Sequence, residues 1–290
     1  MMPPAVLVFI SITMDTVPMA RRPAFFISDR TGLTSESMGE ALLEQFRDVQ
    51  FKRATYPFVD TPEKARAMVQ IIEKTAQQTA LRPLVFSSIV DEEIRSIIKS
   101  SPGLHLSFFD AFLGQLEDEL GIQARHTAGG RHGIGDTERY DARMEAVNFS
   151  LNHDDGISDK DLQKADVILI GVSRSGKTPT CLYLALQYGI RAANYPLTPD
   201  DLDNPGLPPM LRNHLNKLYG LTIQPDRLAE IRQERRPDSH YASLATCKRE
   251  VAEAQAMFRR FNIPFTNTTQ KSVEELAVSI MQACKLKRRF

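Results

Sequence analysis

The sequence predicts an α/β protein in two halves, each a parallel sheet with flanking helices, the C-terminal half being P-loop kinase-like. Three observations carry this reading. Short apolar runs alternate with segments of helical periodicity, the pattern of parallel strands joined by crossover helices. The alternation breaks over residues 124–155 and then restarts, and a chain of 290 residues has room for two domains. In the second half an apolar run leads through a glycine-containing stretch into a helix. The expected organisation is an extension over 1–23, an N-terminal α/β domain over 24–155 and a C-terminal nucleotide-binding domain over 156–290.

Composition narrows the class. Hydrophobic residues make up 42% and charged residues 25%, as in ordinary globular proteins. The 36 basic and 36 acidic residues cancel, which argues against a general nucleic-acid binder. No apolar run reaches the roughly 18 residues that span a bilayer, so no membrane association is expected. Cys181, Cys247 and Cys284 are far apart and odd in number, against a disulfide scaffold or a cysteine zinc site. They read as small buried hydrophobes in a reducing cytoplasm. Ala5–Ile12 is apolar, but no Lys or Arg precedes it and Asp15 and Pro18 follow, a poor signal peptide. Either translation starts at Met19, just ahead of Arg21-Arg22-Pro23, or the leader is a loose extension, and N-terminal mass spectrometry of the native protein would decide.

The elements follow in order. Ala24–Ser28 reads as a strand ending at Asp29-Arg30-Thr31-Gly32. A helix capped by Thr34 or Ser35 follows, with Met38, Ala41, Leu42 and Phe46 on its apolar face. Thr61-Pro62-Glu63 starts another, with Ala65, Met68, Val69, Ile72 and Ala76 as its stripe. Leu84–Phe86 and Leu104–Phe109 read as strands with a helix between them. Residues 124–136 hold four glycines, with His126 and His132 beside Arg125 and Arg131, and read as a bent loop. A polar helix containing Met144, Val147 and Leu151 closes at Asn152–Gly156.

The second half opens with the apolar strand Asp166–Ile170. A helix from Lys177 to Tyr188, a strand over 191–197 and a proline-rich loop over 198–209 follow. Pro225 opens a charged helix, and Leu244, Cys247, Val251, Ala254, Phe258 and Phe261 mark a longer one. Ile263–Thr266 reads as a last strand. Ser272-Val273-Glu274-Glu275 is a capping box for a helix expected to bury Val273, Leu276, Ala277, Ile280, Met281 and Cys284. The basic tail Lys285–Arg289 reads as a solvated helix end. No internal repeat is evident.

The chemistry concentrates at Gly171-Val172-Ser173-Arg174-Ser175-Gly176-Lys177-Thr178, which fits G-x-x-x-x-G-K-[ST] at every fixed position. Glycines let the backbone curl so that successive N–H groups face a phosphate, and the helix N-terminus adds about half a positive charge. Lys177 supplies a full charge, Thr178 offers a hydroxyl to Mg²⁺, and Pro179 is tolerated in the first helical turn. A P-loop enzyme normally sets an acid at a strand end for the metal, and no strand of the second half ends in Asp. Asp29 and Asp110 end apolar runs in the first half, so either is a candidate metal ligand or general base, with helix N-caps as the alternative. Asp29 is favoured, because Arg30 and Gly32 accompany it at the carboxyl end of a strand. His126 and His132 are candidate phosphate or proton-transfer groups, against simple exposure. There is no H-E-x-x-H, G-x-S-x-G or H-R-D signature, against a zincin, a serine hydrolase and an ordinary protein kinase.

The run from Gly171 to Thr180, continued by Leu182–Ala185 and Ala192-Ala193-Asn194-Tyr195-Pro196-Leu197, resembles the phosphoenolpyruvate synthase regulatory protein family. So do Phe26–Thr34 and Ile263–Thr269, and the resemblance covers residues 24–285. The related pyruvate, phosphate dikinase regulatory proteins share the overall pattern. Gly176-Lys177 and Ala192–Tyr195 resemble the synthase branch more, since the dikinase branch tends to replace that glycine.

The resemblance implies a bifunctional serine/threonine kinase and phosphorylase. One activity transfers phosphate from ADP to a threonine of phosphoenolpyruvate synthase, releasing AMP. The other removes it with inorganic phosphate, forming pyrophosphate. On that reading ADP, inorganic phosphate and Mg²⁺ are the small-molecule partners and the synthase is the protein substrate, in the cytoplasm, with a homodimer left open. Residues 171–178 would hold the ADP phosphates, Lys177 the transferring charge, and Asp29 or Asp110 the threonine proton. The residues alone reach a P-loop phosphotransferase. A small-molecule kinase, an ATPase and a non-catalytic nucleotide sensor remain open at that level.

Overall fold

The computed structural model describes residues 21–125, 137–155 and 161–289. The apolar run Ala5–Ile12, His126, Arg131 and His132 lie outside the described residues. The chain divides into units of residues 1–133 and 134–290, so the helix preceding Asp154 belongs with the second unit and does not close the first.

In the first unit the parallel strands β1 (Arg22–Ile27), β2 (Phe51–Tyr56), β3 (Leu84–Ser87) and β4 (Leu104–Ser107) lie in the order β2-β1-β3-β4. Side chains alternate across the central strand. Phe25 and Ile27 face α2 (Pro62–Thr79) and α3 (Glu92–Lys99), packing on Ala65, Met68, Ile72, Ile94 and Ile98. Ala24 and Phe26 face the other side and pack with Phe86 and Leu43 of α1 (Leu33–Leu43). Each such side chain, fully buried, contributes about 1.5–3 kcal/mol.

α1 corrects the expected face. It buries Ser35, Gly39 and Leu43, whereas Met38, Leu42 and the following Phe46 are exposed. Gly39 is the cause. A Cβ there would stand 2.4 Å from the Phe26 ring, so its small face lets the helix lie close to the sheet. The apolar face lines an open groove of about 530 Å³ with Leu106, Phe108 and Phe112. The strand expected to reach Phe109 stops at Ser107, whose hydroxyl accepts from the Asp110 N–H at 3.3 Å and caps α4 (Phe108–Leu120). Asp110 therefore sits in a helix's first turn.

The second unit has its own parallel sheet, β5 (Val167–Val172), β6 (Ala192–Leu197), β7 (Leu218–Thr222) and β8 (Phe265–Asn267), ordered β6-β5-β7-β8. Its helices are α5 (Thr137–Asn152), α6 (Lys177–Tyr188), α7 (Pro199–Asp203), α8 (Pro225–Arg235), α9 (Leu244–Arg260) and α10 (Val273–Ala283). β5 is buried along its whole length, as a central parallel strand must be. Ile168, Ile170 and Val172 share a core with Val251, Ala254 and Phe258 of α9. Val167 and Leu169 pack on the other face with Leu184, Ala277 and Ile280. Part of the expected loop over 198–209 is helical: Thr198 forms a capping box with Asp201 and opens α7. The basic tail is docked, not solvated. The Arg289 N–H donates to the Tyr188 carbonyl at 3.1 Å and its guanidinium pairs with Asp166 at 3.0 Å. Cys181 and Cys247 are buried thiols. Among the described residues no helix is long and apolar enough to cross a membrane.

Candidate functional site

The site is built where β5 gives way to α6. Gly171 passes so close to β7 that a Cβ would stand 2.2 Å from the Leu221 carbonyl oxygen, so glycine alone fits. The chain then curls through Arg174, at φ +76°, and Gly176, at φ +88°. Gly176 is the N-cap of α6 and offers no side chain to the first-turn N–H groups, which leaves them for an anion. Lys177, only 4% exposed, folds back and donates from Nζ to the Val172 carbonyl at 2.9 Å, closing the curl. Burial pulls its ammonium down to about 8, and Asp155 and Asp154 oppose that pull. A buried lysine charge on a backbone ring is what a phosphate would neutralise.

Thr178 leads to a residue that sequence reasoning missed. Its hydroxyl donates to Asp154 Oδ1 at 2.9 Å. Asn194 of β6 donates from Nδ2 to the same Asp154 oxygen at 2.5 Å and to Thr178 Oγ1 at 3.0 Å. Donor counting then fixes the chemistry. The single hydroxyl proton of Thr178 is used on Asp154, so its remaining electron pair can only accept, as a cation ligand does. The Asn194 N–H donates to the His153 carbonyl at 2.9 Å, pinning the end of α5 to β6 and so placing Asp154 beside the loop. The His153 ring stacks on Phe149 at 4.0 Å with Nδ1 2.8 Å from the Phe149 carbonyl, a packing role. The acid expected at a strand end thus arrives from a helix end, where the sequence reads only as Asn-His-Asp-Asp-Gly. A buried, strand-borne Asn opposite the loop was the available clue.

The fit to a magnesium ion rests on this donor set. Thr178 Oγ1, Asp154 and the exposed Asp155 are hard oxygen donors, and Asn194 Oδ1 is buried without a hydrogen-bond partner. Among the described residues no group of three or more His, Cys, Asp and Glu could hold a metal alone. Mg²⁺ commonly takes few protein ligands and completes its shell with water and phosphate oxygens, so Thr178 and Asp154 fit it.

The two first-unit candidates differ. Asp29 is buried just past β1, and its Oδ2 accepts from the Val90 N–H at 3.0 Å. Ser28 beside it accepts from the Arg30 N–H at 3.1 Å and from the Ser88 hydroxyl at 3.1 Å. Asp110 is held by Arg95 at 3.0 Å and by Lys99. Burial raises its pKa, but the Lys99 hydrogen bond and the Arg95 charge outweigh that and hold it below the usual range. A carboxylate so stabilised is a weak proton acceptor. Arg125 is exposed.

A family model described as kinase/pyrophosphorylase matches residues 24–281. A Dichelobacter nodosus protein is 70% identical over 272 residues, covering 94% of this chain and all of its own length. One from Neisseria meningitidis serogroup B is 66% identical over 93% of this chain and 98% of its own. One from Laribacter hongkongensis is 58% identical over 93% and 99%. All three bear the provisional name phosphoenolpyruvate synthase regulatory protein.

Proposed function

The chain belongs to the kinase/pyrophosphorylase family, and from that premise we propose that it is a bifunctional enzyme acting on a threonine of phosphoenolpyruvate synthase. As a kinase it transfers the β-phosphoryl of ADP to the threonine hydroxyl, releasing AMP and switching the synthase off. As a phosphorylase it transfers the phosphoryl from phosphothreonine to inorganic phosphate, giving pyrophosphate and free threonine. Both directions move one phosphoryl between two oxygens, so positioning and charge do most of the work.

The observation that carries this reading is the curled loop closed by Lys177. Its first-turn N–H groups and ammonium suit the phosphates of ADP, and Lys177 balances charge on the moving phosphoryl. Thr178 and Asp154 would hold Mg²⁺, which when bound neutralises phosphate oxygens. Asn194, by donating to Thr178 Oγ1, takes one of its electron pairs and directs the Thr178 proton at Asp154, which leaves the second pair for the ion. Of the two first-unit candidates, Asp110 is engaged by Arg95 and Lys99, and Asp29, which forms no ion pair with them, is the one we propose for the substrate's hydroxyl proton. We assign the reaction to the cytoplasm, in keeping with the buried unpaired thiols.

The test mixes the protein with phosphoenolpyruvate synthase and follows phosphothreonine by mass spectrometry. Label is expected to appear with ADP and to disappear with inorganic phosphate as pyrophosphate forms. Transfer from ATP alone, or to a metabolite and not the synthase, contradicts the proposal.

A further inference from the structure

Arg232 of α8 is completely buried, although nothing in the reaction calls for a charge there. Its Nη2 donates to the carbonyl of Ser173, the third residue of the loop, at 3.2 Å, and to Glu250 of α9 at 2.6 Å. Its Nη1 donates to the Tyr241 carbonyl at 3.0 Å. The guanidinium also lies over the Tyr241 ring, 4.0 Å from its centre. The Tyr241 hydroxyl in turn donates to Ser173 Oγ at 2.9 Å. Ser173 is thus gripped at its backbone by Arg232 and at its side chain by the ring Arg232 supports.

The grip has a directional consequence. A planar trans peptide sets the N–H of one residue opposite the carbonyl of the residue before. Drawing the Ser173 carbonyl toward Arg232 therefore turns the Arg174 N–H the other way. Arg174 itself sits at φ +76°, which a non-glycine residue adopts only when its surroundings impose it. Replacing a buried ion pair by apolar residues is often neutral for stability. Arg232–Glu250 is therefore better explained by what it positions than by what it stabilises.

We infer that Arg232 and Tyr241 are positioning residues that hold Ser173 so that the loop is already curled for phosphate before ligand arrives, with Glu250 keeping Arg232 in place. This rests on the nucleotide reading of the loop, but it concerns the loop's free state and is tested there first. Hydrogen exchange of the peptide covering residues 171–178 is compared in the wild-type protein, Tyr241→Phe, Ser173→Ala and the double variant. Each single change removes one neutral hydrogen bond and should speed loop exchange about fivefold. The double variant should exchange no faster than the singles, while peptides from β6 and α10 stay unchanged.

Arg232→Met alone would strand Glu250 and threaten the fold. The paired Arg232→Met/Glu250→Leu variant is expected to keep the wild-type melting temperature while loosening the loop. Arg232→Lys should not restore it, since one ammonium cannot span Ser173, Tyr241 and Glu250. In turnover the Tyr241→Phe change should raise KM for ADP more than it lowers kcat. Unchanged loop exchange in Tyr241→Phe and Ser173→Ala, or effects of the two that simply add, overturn the inference. A wild-type loop that is protected by Tyr241 yet indifferent to added ADP contradicts the nucleotide reading and leaves the grip standing.

Discussion

The two units use the same scaffold for different local chemistry. Their sheets have matching strand orders, β2-β1-β3-β4 and β6-β5-β7-β8, all parallel. In each, the first strand leads into a helix whose N-cap is a left-handed glycine, Gly32 at φ +84° and Gly176 at φ +88°. Even the residues run in parallel, Arg30-Thr31-Gly32-Leu33-Thr34 beside Arg174-Ser175-Gly176-Lys177-Thr178. The divergence is at the chemistry. Leu33 is 67% exposed where Lys177 is buried against the Val172 carbonyl. Asp29 stands ahead of Arg30, where Ser173 precedes Arg174 in the second unit. A carboxylate in that position would repel the phosphate that we propose for the second loop. The pair teaches that a glycine turn and a helix N-terminus are shared scaffolding, and that the lysine, the Thr178–Asp154–Asn194 network and the grip on Ser173 are what distinguish the turn proposed to hold phosphate.

The largest expected effect separates the two loops at one position. Lys177→Ala should lower both transfer directions by roughly 10²–10³-fold with the fold retained, as loss of a charge contact to a transferring group does. Leu33→Ala, at the matching place, should leave turnover unchanged and stability within about 0.5 kcal/mol. Phosphothreonine formation and a thermal melt on both variants check this. Retained turnover in Lys177→Ala breaks the comparison.

Glycine replacement sharpens it. Gly171→Ala drives a Cβ to 2.2 Å from a backbone oxygen that cannot withdraw, so a loss of roughly 3 kcal/mol or more is expected. Gly32→Ala meets only Thr55 Cγ2 at 3.1 Å and mainly bears the cost of its positive φ, about 1–2 kcal/mol. Urea unfolding of the two variants ranks them. Equal losses would mean that the second loop is not the tighter structure.

A pH series gives the smallest but most diagnostic contrast. Lys177 is lowered by burial to about 8, against an ordinary 10.5. Below pH 8 it is charged in folded and unfolded chains alike. Between pH 8 and 10.5 the unfolded chain binds more protons, so stability rises with pH over that window. ADP binding runs the opposite way, since phosphate needs the ammonium, and should weaken toward tenfold per unit above pH 8. Calorimetry at successive pH values reads both slopes. Affinity that is flat through pH 8–10 would remove Lys177 from the phosphate contact.

Much of this was legible in the sequence, and what was not has identifiable causes. The central strands β1 and β5 showed as continuous apolar runs because parallel strands are buried on both faces. β2 was hidden because it is an edge strand carrying Lys52 and Arg53, with no residue fully buried. β7 was hidden because Gly220 interrupts it. That glycine is required there, since a Cβ would meet the Phe258 ring at 2.7 Å. The turn from β5 into α6 was legible, because the close approach of Gly171 to β7 and the positive φ of Gly176 put glycines at fixed places between an apolar strand and a helix. Asp154 was not, because its position comes from the tie between His153 and Asn194, a contact across 41 residues that no local pattern records. The same holds for the grip of Arg232 and Tyr241 on Ser173.

The central claim is that the loop of the second unit holds the two phosphates of ADP through its curled backbone and Lys177. Calorimetric titration of ADP and AMP into the wild-type protein and Lys177→Ala, with magnesium present, tests it most directly. The account predicts that ADP binds the wild-type protein at least tenfold more tightly than AMP and that the advantage disappears in Lys177→Ala. Equal affinity for the two nucleotides, or an ADP preference that survives loss of Lys177, would contradict it.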